Sequence, residues 1–285
     1  MDIIEQIEKN YSTMSKSHKR LSDYVRENYG SAAIMNVEQL SLATGVSEAT
    51  VVRFSAELGY EKFNHFQRAL NDYAKSKLTS VQRMERAHSQ YQGSDILTSV
   101  LESDVEKIKT TLSQIDKNAF DGAVDALINA KNIYIIGLRG SSALARFTSY
   151  YLNYIFPHVK LVNGTSVGDI FEQMFRIGKG DVLIAFSLPR YSLRTIRAVH
   201  LAKRSNATIV GVTDGQNSPI LDLCDYPLIA KTDMESFVDS LVAPMSLINA
   251  LVVAISMRLP HEANESLKKL ENIWSDNEVY DNGEK

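Results

Sequence analysis

One cysteine, Cys224, stands in 285 residues, so no disulfide can form within the chain. That scarcity suits a reducing cytoplasm, which is the expected location. Cys224 lies in LDLCDYP with no histidine beside it, the setting of a structural thiol rather than a nucleophile. No apolar run reaches the roughly 18 residues that a membrane span needs, so no membrane partner is expected. The first residues, MDIIEQIEKN, are too polar and acidic for a signal peptide. Positive charge is also lacking: the net charge is −3, and any nucleic-acid contact must come from a local patch. The histidines, His18, His65, His88, His158, His200 and His261, show no ligand spacing, so no metal is expected.

The length suggests about two domains. The expected division is 1–77, a linker over 78–93, a second domain over 94–275, and a disordered acidic tail over 276–285. The second domain is organised around NIYIIGLRGSSALARF, Asn132 to Phe147. Ile133 to Ile136 read as a strand buried on both faces. Gly137 and Gly140 are expected to make a tight turn, and Ser141 and Ser142 to open a helix. A strand, a glycine turn and a helix N-terminus bearing hydroxyls can hold an anion; the alternative is an ordinary turn with a serine cap. A dinucleotide site fits poorly. The spacing is G-x-x-G-S-S rather than G-x-G-x-x-G, and the next strand, Val159 to Val162, ends without a carboxylate for a ribose. No cofactor is expected.

Residues 1–77 read as consecutive helices. Ser17 is the expected cap of one running to about Tyr29, with the cations Lys16, His18, Lys19 and Arg20 at its start. Cations there oppose the helix dipole, so either a partner holds them or they form a solvated basic turn. In NVEQLSLATGVSEATVVRFSAELGYEKF, Asn36 can cap a short helix with Val37, Leu40 and Ala43 inward. Gly45 supplies the positive φ of a turn, and Ser47 can cap a second helix with Val51, Phe54 and Leu58 inward. That is the helix-turn-helix pattern. Its outward residues, Ser47, Glu48, Ala49, Thr50 and Arg53, are short or polar enough to enter a major groove, with Arg53 reaching a phosphate or a guanine edge. Lys62, opening the next helix, is a further candidate DNA contact. Over residues 1–77, Lys plus Arg number 10 and Asp plus Glu number 10, so binding must use a one-sided distribution.

Beyond a helix over 94–115 the pattern alternates. Strands are predicted at Ile133–Ile136, Val159–Val162, Val182–Phe186, Thr208–Val212 and Tyr226–Ile229, and helices at Ala143–Phe156, Val167–Arg176, Leu193–Arg204 and Ser236–Arg258. The expected fold is therefore an all-α helix-turn-helix domain followed by an α/β domain with a five-stranded parallel sheet flanked by helices. A second hydroxyl-bearing loop, SLPRYSLRT, carries Ser187, Arg190, Ser192 and Arg194 after the third strand. Two such loops can converge on one anion.

GLRGSSALA, GDVLIAFSLPRYSLRT and VTDGQNSPI together resemble the sugar isomerase (SIS) domain, and GVSEATVVRFSAELGYEKF resembles the N-terminal domain of RpiR-type bacterial transcriptional regulators. The resemblance covers nearly the whole chain. It implies operator binding by a dimer and phosphosugar contacts from Gly140, Ser141 and Ser142 and from the second loop. That loop departs from the family pattern S-x-S-G-x-T: Pro189 replaces the middle serine and Arg190 the glycine. One hydroxyl is lost and a cation gained, which leaves open a phosphate held by Arg190 or a sugar acid with a carboxylate. The competing reading is a sugar-phosphate isomerase or lyase with an accessory helical domain, for which Glu172, Glu235 and His200 are the available acids and bases. A helix-turn-helix has no role in such an enzyme, so no catalytic residue is assigned. The expected partners are operator DNA, an anionic sugar effector and further copies of the chain, as a homodimer or homotetramer.

Overall fold

The computed structural model describes residues 3–164, 166–233 and 236–280, and the chain divides into two compact units, Met1–Gln92 and Gly93–Lys285. The first unit contains α1 (Ile3–Asn10), α2 (Lys16–Glu27), α3 (Tyr29–Ala32), α4 (Val37–Thr44), α5 (Glu48–Glu57), α6 (Phe63–Lys77) and α7 (Ser80–Tyr91). Their apolar faces close over Leu21, Leu40, Phe54, Phe66 and Leu70, all fully buried. Each such side chain contributes about 1.5–3 kcal/mol relative to exposure. Two expectations shift. Ser15, not Ser17, caps α2, its Oγ accepting from the His18 N–H at 3.2 Å. Ala43 is exposed; Thr44 takes the inward place, its hydroxyl donating to the Leu40 carbonyl at 2.7 Å. The segment 78–93, read as a linker, carries α7, which opens on a Thr79–Gln82 capping box and belongs to the first compact unit.

The second unit continues with α8 (Ile96–Gln114), α9 (Lys117–Ile128), β1 (Ile133–Gly137), α10 (Ser142–Leu152), β2 (Val159–Val162), α11 (Val167–Met174), β3 (Val182–Phe186), α12 (Leu193–Arg204), β4 (Thr208–Thr213), β5 (Tyr226–Ile229), α13 (Val242–Arg258) and α14 (Pro260–Asp276). The strands form one parallel sheet in the order β2-β1-β3-β4-β5. Alternation sends Ile133, Ile135, Ile184 and Val212 to the face covered by α9, α10 and α13. It sends Ile136, Leu183, Ala185 and Ile209 to the face covered by α11 and α12. Close packing fixes some glycines: a Cβ at Gly211 would lie 2.1 Å from Cys224 Sγ. That thiol donates to the Ile220 carbonyl at 3.1 Å, and burial pushes its pKa up to about 12.

The C-terminal helices differ from expectation. α13 begins at Val242 rather than Ser236, because Pro244 fits only in a first turn; just before it the Ser240 hydroxyl donates to Asp104 at 2.6 Å and accepts from the Val242 N–H at 3.4 Å. Pro260 at the first helical position then starts α14, bent 103° from α13; no single helix among the described residues is long and apolar enough to cross a membrane. Part of the expected tail is ordered, since Tyr280 packs edge-on against Trp274 at 5.3 Å. The remainder, 281–285, lies outside the described residues.

Candidate functional site

The helix-turn-helix face is assembled by three local devices. A capping box between Asn36 and Gln39 starts α4, and Gly45, at φ +63°, ends it in the left-handed conformation that glycine takes freely. The Ser41 hydroxyl then donates to the Val46 carbonyl at 2.6 Å, tying the turn back onto α4. Ser47 caps α5, accepting from the Thr50 N–H at 3.3 Å. Val51, Phe54 and Leu58 anchor α5 inward, as expected. Ser47, Glu48, Ala49 and Arg53 are exposed and Thr50 half-buried, so the outward set shares one end of the helix. Arg53 Nη2 reaches Thr50 Oγ1 at 3.5 Å, and no carboxylate among the described residues holds it. Lys62 is exposed at the cap position of α6, without a side-chain capping bond.

In the second unit the strand order itself marks a place for a ligand. β1 leads outward through α10 on one face of the sheet; its neighbour β3 leads the other way through α12 on the opposite face. The loops after β1 and β3 therefore part, and ligands of open parallel sheets bind in the crevice so formed, at the C-terminal strand ends. Gly137, Phe186 and Val212 stand side by side at that edge. The first loop holds Gly140, Ser141 and Ser142; the second holds Ser187, Arg190 and Ser192. The topology thus brings the two predicted sets to one edge.

Each loop shows where the local sequence yields to the site. The turn after β1 is a short 3-10 segment, Arg139–Ser141, and its left-handed residue is Arg139, at φ 57°, not either glycine. Gly137 is needed for close approach instead, since a Cβ there would lie 2.5 Å from the Ser141 carbonyl oxygen. In the second loop Arg190 sits at φ 60°. It stands in the glycine slot of the family pattern and keeps a glycine-like backbone, at a cost of about 1–2 kcal/mol for a side chain. The substitution therefore adds a cation without removing the turn. Non-glycine residues in this region gather at functional sites; of the four among the described residues, Arg139 and Arg190 lie in the paired loops, Asn206 and Glu278 elsewhere.

The hydroxyls are not used up by capping. Ser141 and Ser192 occupy the cap positions of α10 and α12, yet neither makes a side-chain capping bond. Ser15, Asn36, Ser47, Thr79, Asp95, Asp116 and Ser166 do cap their helices. Ser187 is 2% exposed and its Oγ has no hydrogen-bond partner. Its backbone is fixed, the N–H donating to the Val212 carbonyl at 3.0 Å and the carbonyl accepting from Thr213 Oγ1 at 2.7 Å. The Thr195 and Ser218 hydroxyls are likewise buried and unpartnered. Sequence reasoning missed both, although each lies in a segment whose motif stands out in the chain. Unpartnered buried hydroxyls cost about 1–3 kcal/mol each, so an anion accepting from them would recover that loss. The loop is braced at its sides by Tyr191 OH, which donates to Asp214 Oδ1 at 2.9 Å, and by Arg194 Nη1, which donates to the Gly164 carbonyl at 3.3 Å.

Of the groups weighed for an isomerase, the two among the described residues make no acid–base pair there. Glu172 on α11 and His200 on α12 are both exposed, and Glu235 lies outside the described residues. On α12 Val199 is buried and His200 points to solvent.

Residues 1–77 match the model of the helix-turn-helix domain of the rpiR family, and residues 126–254 match that of the SIS domain. An HTH-type transcriptional regulator of Clostridium perfringens is 26% identical over 273 residues, covering 93% of this chain and 96% of its own length. The HTH-type transcriptional regulator HexR of Pseudomonas aeruginosa is 22% identical over 276 residues, 94% of each chain. Among solved structures, the Vibrio vulnificus NanR protein complexed with ManNAc-6P shares the fold at a TM-score of 0.61 and 23% identity, over 96% of this chain and 98% of that one. The sugar isomerase domain of an RpiR transcription factor from Sphaerobacter thermophilus aligns at 0.58 and 24% identity, over 62% of this chain and 98% of that one.

Proposed function

We propose, since this chain is an RpiR-type transcriptional regulator with an N-terminal helix-turn-helix domain and a C-terminal SIS domain, that a phosphorylated sugar or sugar acid binds at the C-terminal edge of its sheet and changes its affinity for operator DNA. Gly140, Ser141, Ser142, Ser187, Arg190 and Ser192 hold the anion. The observation that carries this reading is the Ser187 hydroxyl, buried and without a partner at the strand end where the two loops part. The phosphosugar named for the Vibrio NanR complex supports the choice of ligand class. On the DNA side, α5 enters the major groove by its N-terminal end, with Ser47, Glu48, Thr50 and Arg53 toward the bases and Lys62 toward the backbone. A thermal-shift screen of phosphorylated sugars and sugar acids tests the ligand assignment. Binding to the native state raises its apparent stability by RT ln(1 + [L]/Kd), about 2.7 kcal/mol at a hundredfold excess over Kd. A flat response across both classes contradicts it.

The chain acts in the cytoplasm as a homodimer or a homotetramer built from such dimers. Leu97, Leu101, Val105, Ile108 and Leu112 run along one face of α8, and Leu97, Leu101 and Leu112 are 70%, 57% and 72% exposed. Beside them a groove of about 280 Å³ opens between α8, α9 and α13, lined by Leu112, Phe120 and Leu247 among others. A stripe of this length suits pairing with a second copy. Two-fold pairing would also set two α5 helices for half-sites one DNA turn apart, roughly 34 Å, or a multiple of that. Sedimentation at micromolar concentration is expected to give a dimer or a dimer of dimers; a monomer contradicts the pairing.

A further inference from the structure

The cations at the start of α2 divide into two sets. His18 Nδ1 meets Glu57 Oε2 at 2.5 Å, and its ring packs edge-on against Phe54 at 5.6 Å, both residues of α5. Lys19 lies over the Tyr11 ring at 5.4 Å and donates to the Ser12 carbonyl at 3.5 Å. Further along, Arg26 pairs with Glu8 at 3.3 Å. Lys16 and Arg20 are different: both are exposed, and among the described residues neither has an ion-pair partner. They are four apart and so share one face of α2.

That face adjoins the helix-turn-helix. A Cβ at Gly45 would lie 2.7 Å from Arg20 Nη2, so the guanidinium rests on the turn between α4 and α5, just before the Ser47 cap. The His18–Glu57 bond holds α2 against α5, which fixes the two free cations relative to the outward end of α5. Arg53, exposed on α5, is likewise without a carboxylate among the described residues. In a unit whose charges balance over residues 1–77, Arg20 at the turn and Arg53 on α5 thus stand without a carboxylate among the described residues. Unpaired cations at a helix N-terminus work against the helix dipole, so they do not serve the stability of α2. A polyanion running past the turn would neutralise them.

We propose that Lys16 and Arg20 form a second DNA contact, gripping the phosphate backbone beside the groove entered by α5. The proposal rests on α5 being the reading helix. Phosphate contacts position a protein on DNA and carry no sequence information, whereas base contacts carry specificity. The two roles are therefore separable by salt and by sequence.

The test measures the affinity of the full-length protein for its own upstream DNA and for a scrambled duplex across a salt series. The variants are Lys16→Gln alone and Lys16→Gln with Arg20→Gln. Each phosphate contact contributes about 0.9 to the slope of log K against log salt. Each dimer presents both residues twice, so the single variant is expected to lower the slope by about 1.8 and the double variant by about 3.6. Both should weaken the two duplexes by the same factor, leaving their ratio unchanged. Lys16→Arg with Arg20→Lys should keep the wild-type slope. An unchanged slope in the single variant, while the wild-type chain prefers its own upstream DNA, overturns the contact and leaves the reading of α5 standing. A wild-type chain with no preference for that DNA overturns both.

Discussion

Arg53→Ala is expected to remove selective operator binding while the protein stays folded. Arg53 is exposed on α5, so its truncation opens no cavity; the buried anchors Val51, Phe54 and Leu58 remain. Its guanidinium approaches Thr50 Oγ1 at 3.5 Å, too long to contribute much to stability. Removing a base-edge interaction at this position costs about 1–3 kcal/mol, which is roughly a 5- to 150-fold drop in affinity. In a dimer the effect is felt at both half-sites. Unlike the Lys16 and Arg20 variants, this one should reduce the preference for the operator over a scrambled duplex. Band retardation alongside circular dichroism reads both quantities. Unchanged affinity with an intact fold would remove Arg53 from the interface.

Ser141→Ala with Ser142→Ala is expected to leave operator affinity without effector unchanged and to abolish the response to effector. Both serines stand where the loop after β1 becomes α10, and Ser141 makes no capping bond that the substitution would break. The backbone N–H groups of the turn survive the substitution, as do Gly137 and the strand pairing that positions it. What is removed is a pair of hydroxyls in the loop after β1, at the strand edge that also carries Ser187. Coupling between two sites of this kind is typically about 1–3 kcal/mol, so about 5- to 150-fold in operator affinity should vanish. A double variant that responds fully places the effector elsewhere. One that no longer binds DNA shows the two serines to be structural.

Much of the architecture is legible in the chain because burial on both faces leaves a plain mark. The runs at Ile133, Val182 and Thr208 have no other use than central parallel strands, and all five strands start where the sequence places them. The helix-turn-helix is legible for a different reason: Asn36, Gly45 and Ser47 each do a local job that few other residues could do. Boundaries set by tertiary contact are less legible. α13 starts at Val242 because Pro244 is tolerated only in a first turn, and Ser240, just before it, is held by Asp104, 136 residues away. α14 was not anticipated, since only Ala263 of its 17 residues is buried and its apolar positions pack little core.

The site was half legible. Hydroxyls and glycines near strand ends can be read directly, but which atoms lack partners cannot. Thr195 and Ser218 emerge only once their burial is known. Sequence assigns the turn after β1 to glycine because glycine tolerates positive φ most readily; the surrounding contacts instead reserve Gly137 for close packing and leave Arg139 to take the strained conformation.

The central claim is that one chain couples an anion site on a parallel sheet to DNA binding. The most direct measurement titrates the effector found by thermal shift into the protein twice, once alone and once saturated with operator DNA. Reciprocity requires the two effector affinities to differ by the same factor by which effector changes operator affinity. The account predicts a factor between about 5 and 150, equal in the two directions. Effector affinities that are the same with and without operator, from a protein that binds both, would contradict it.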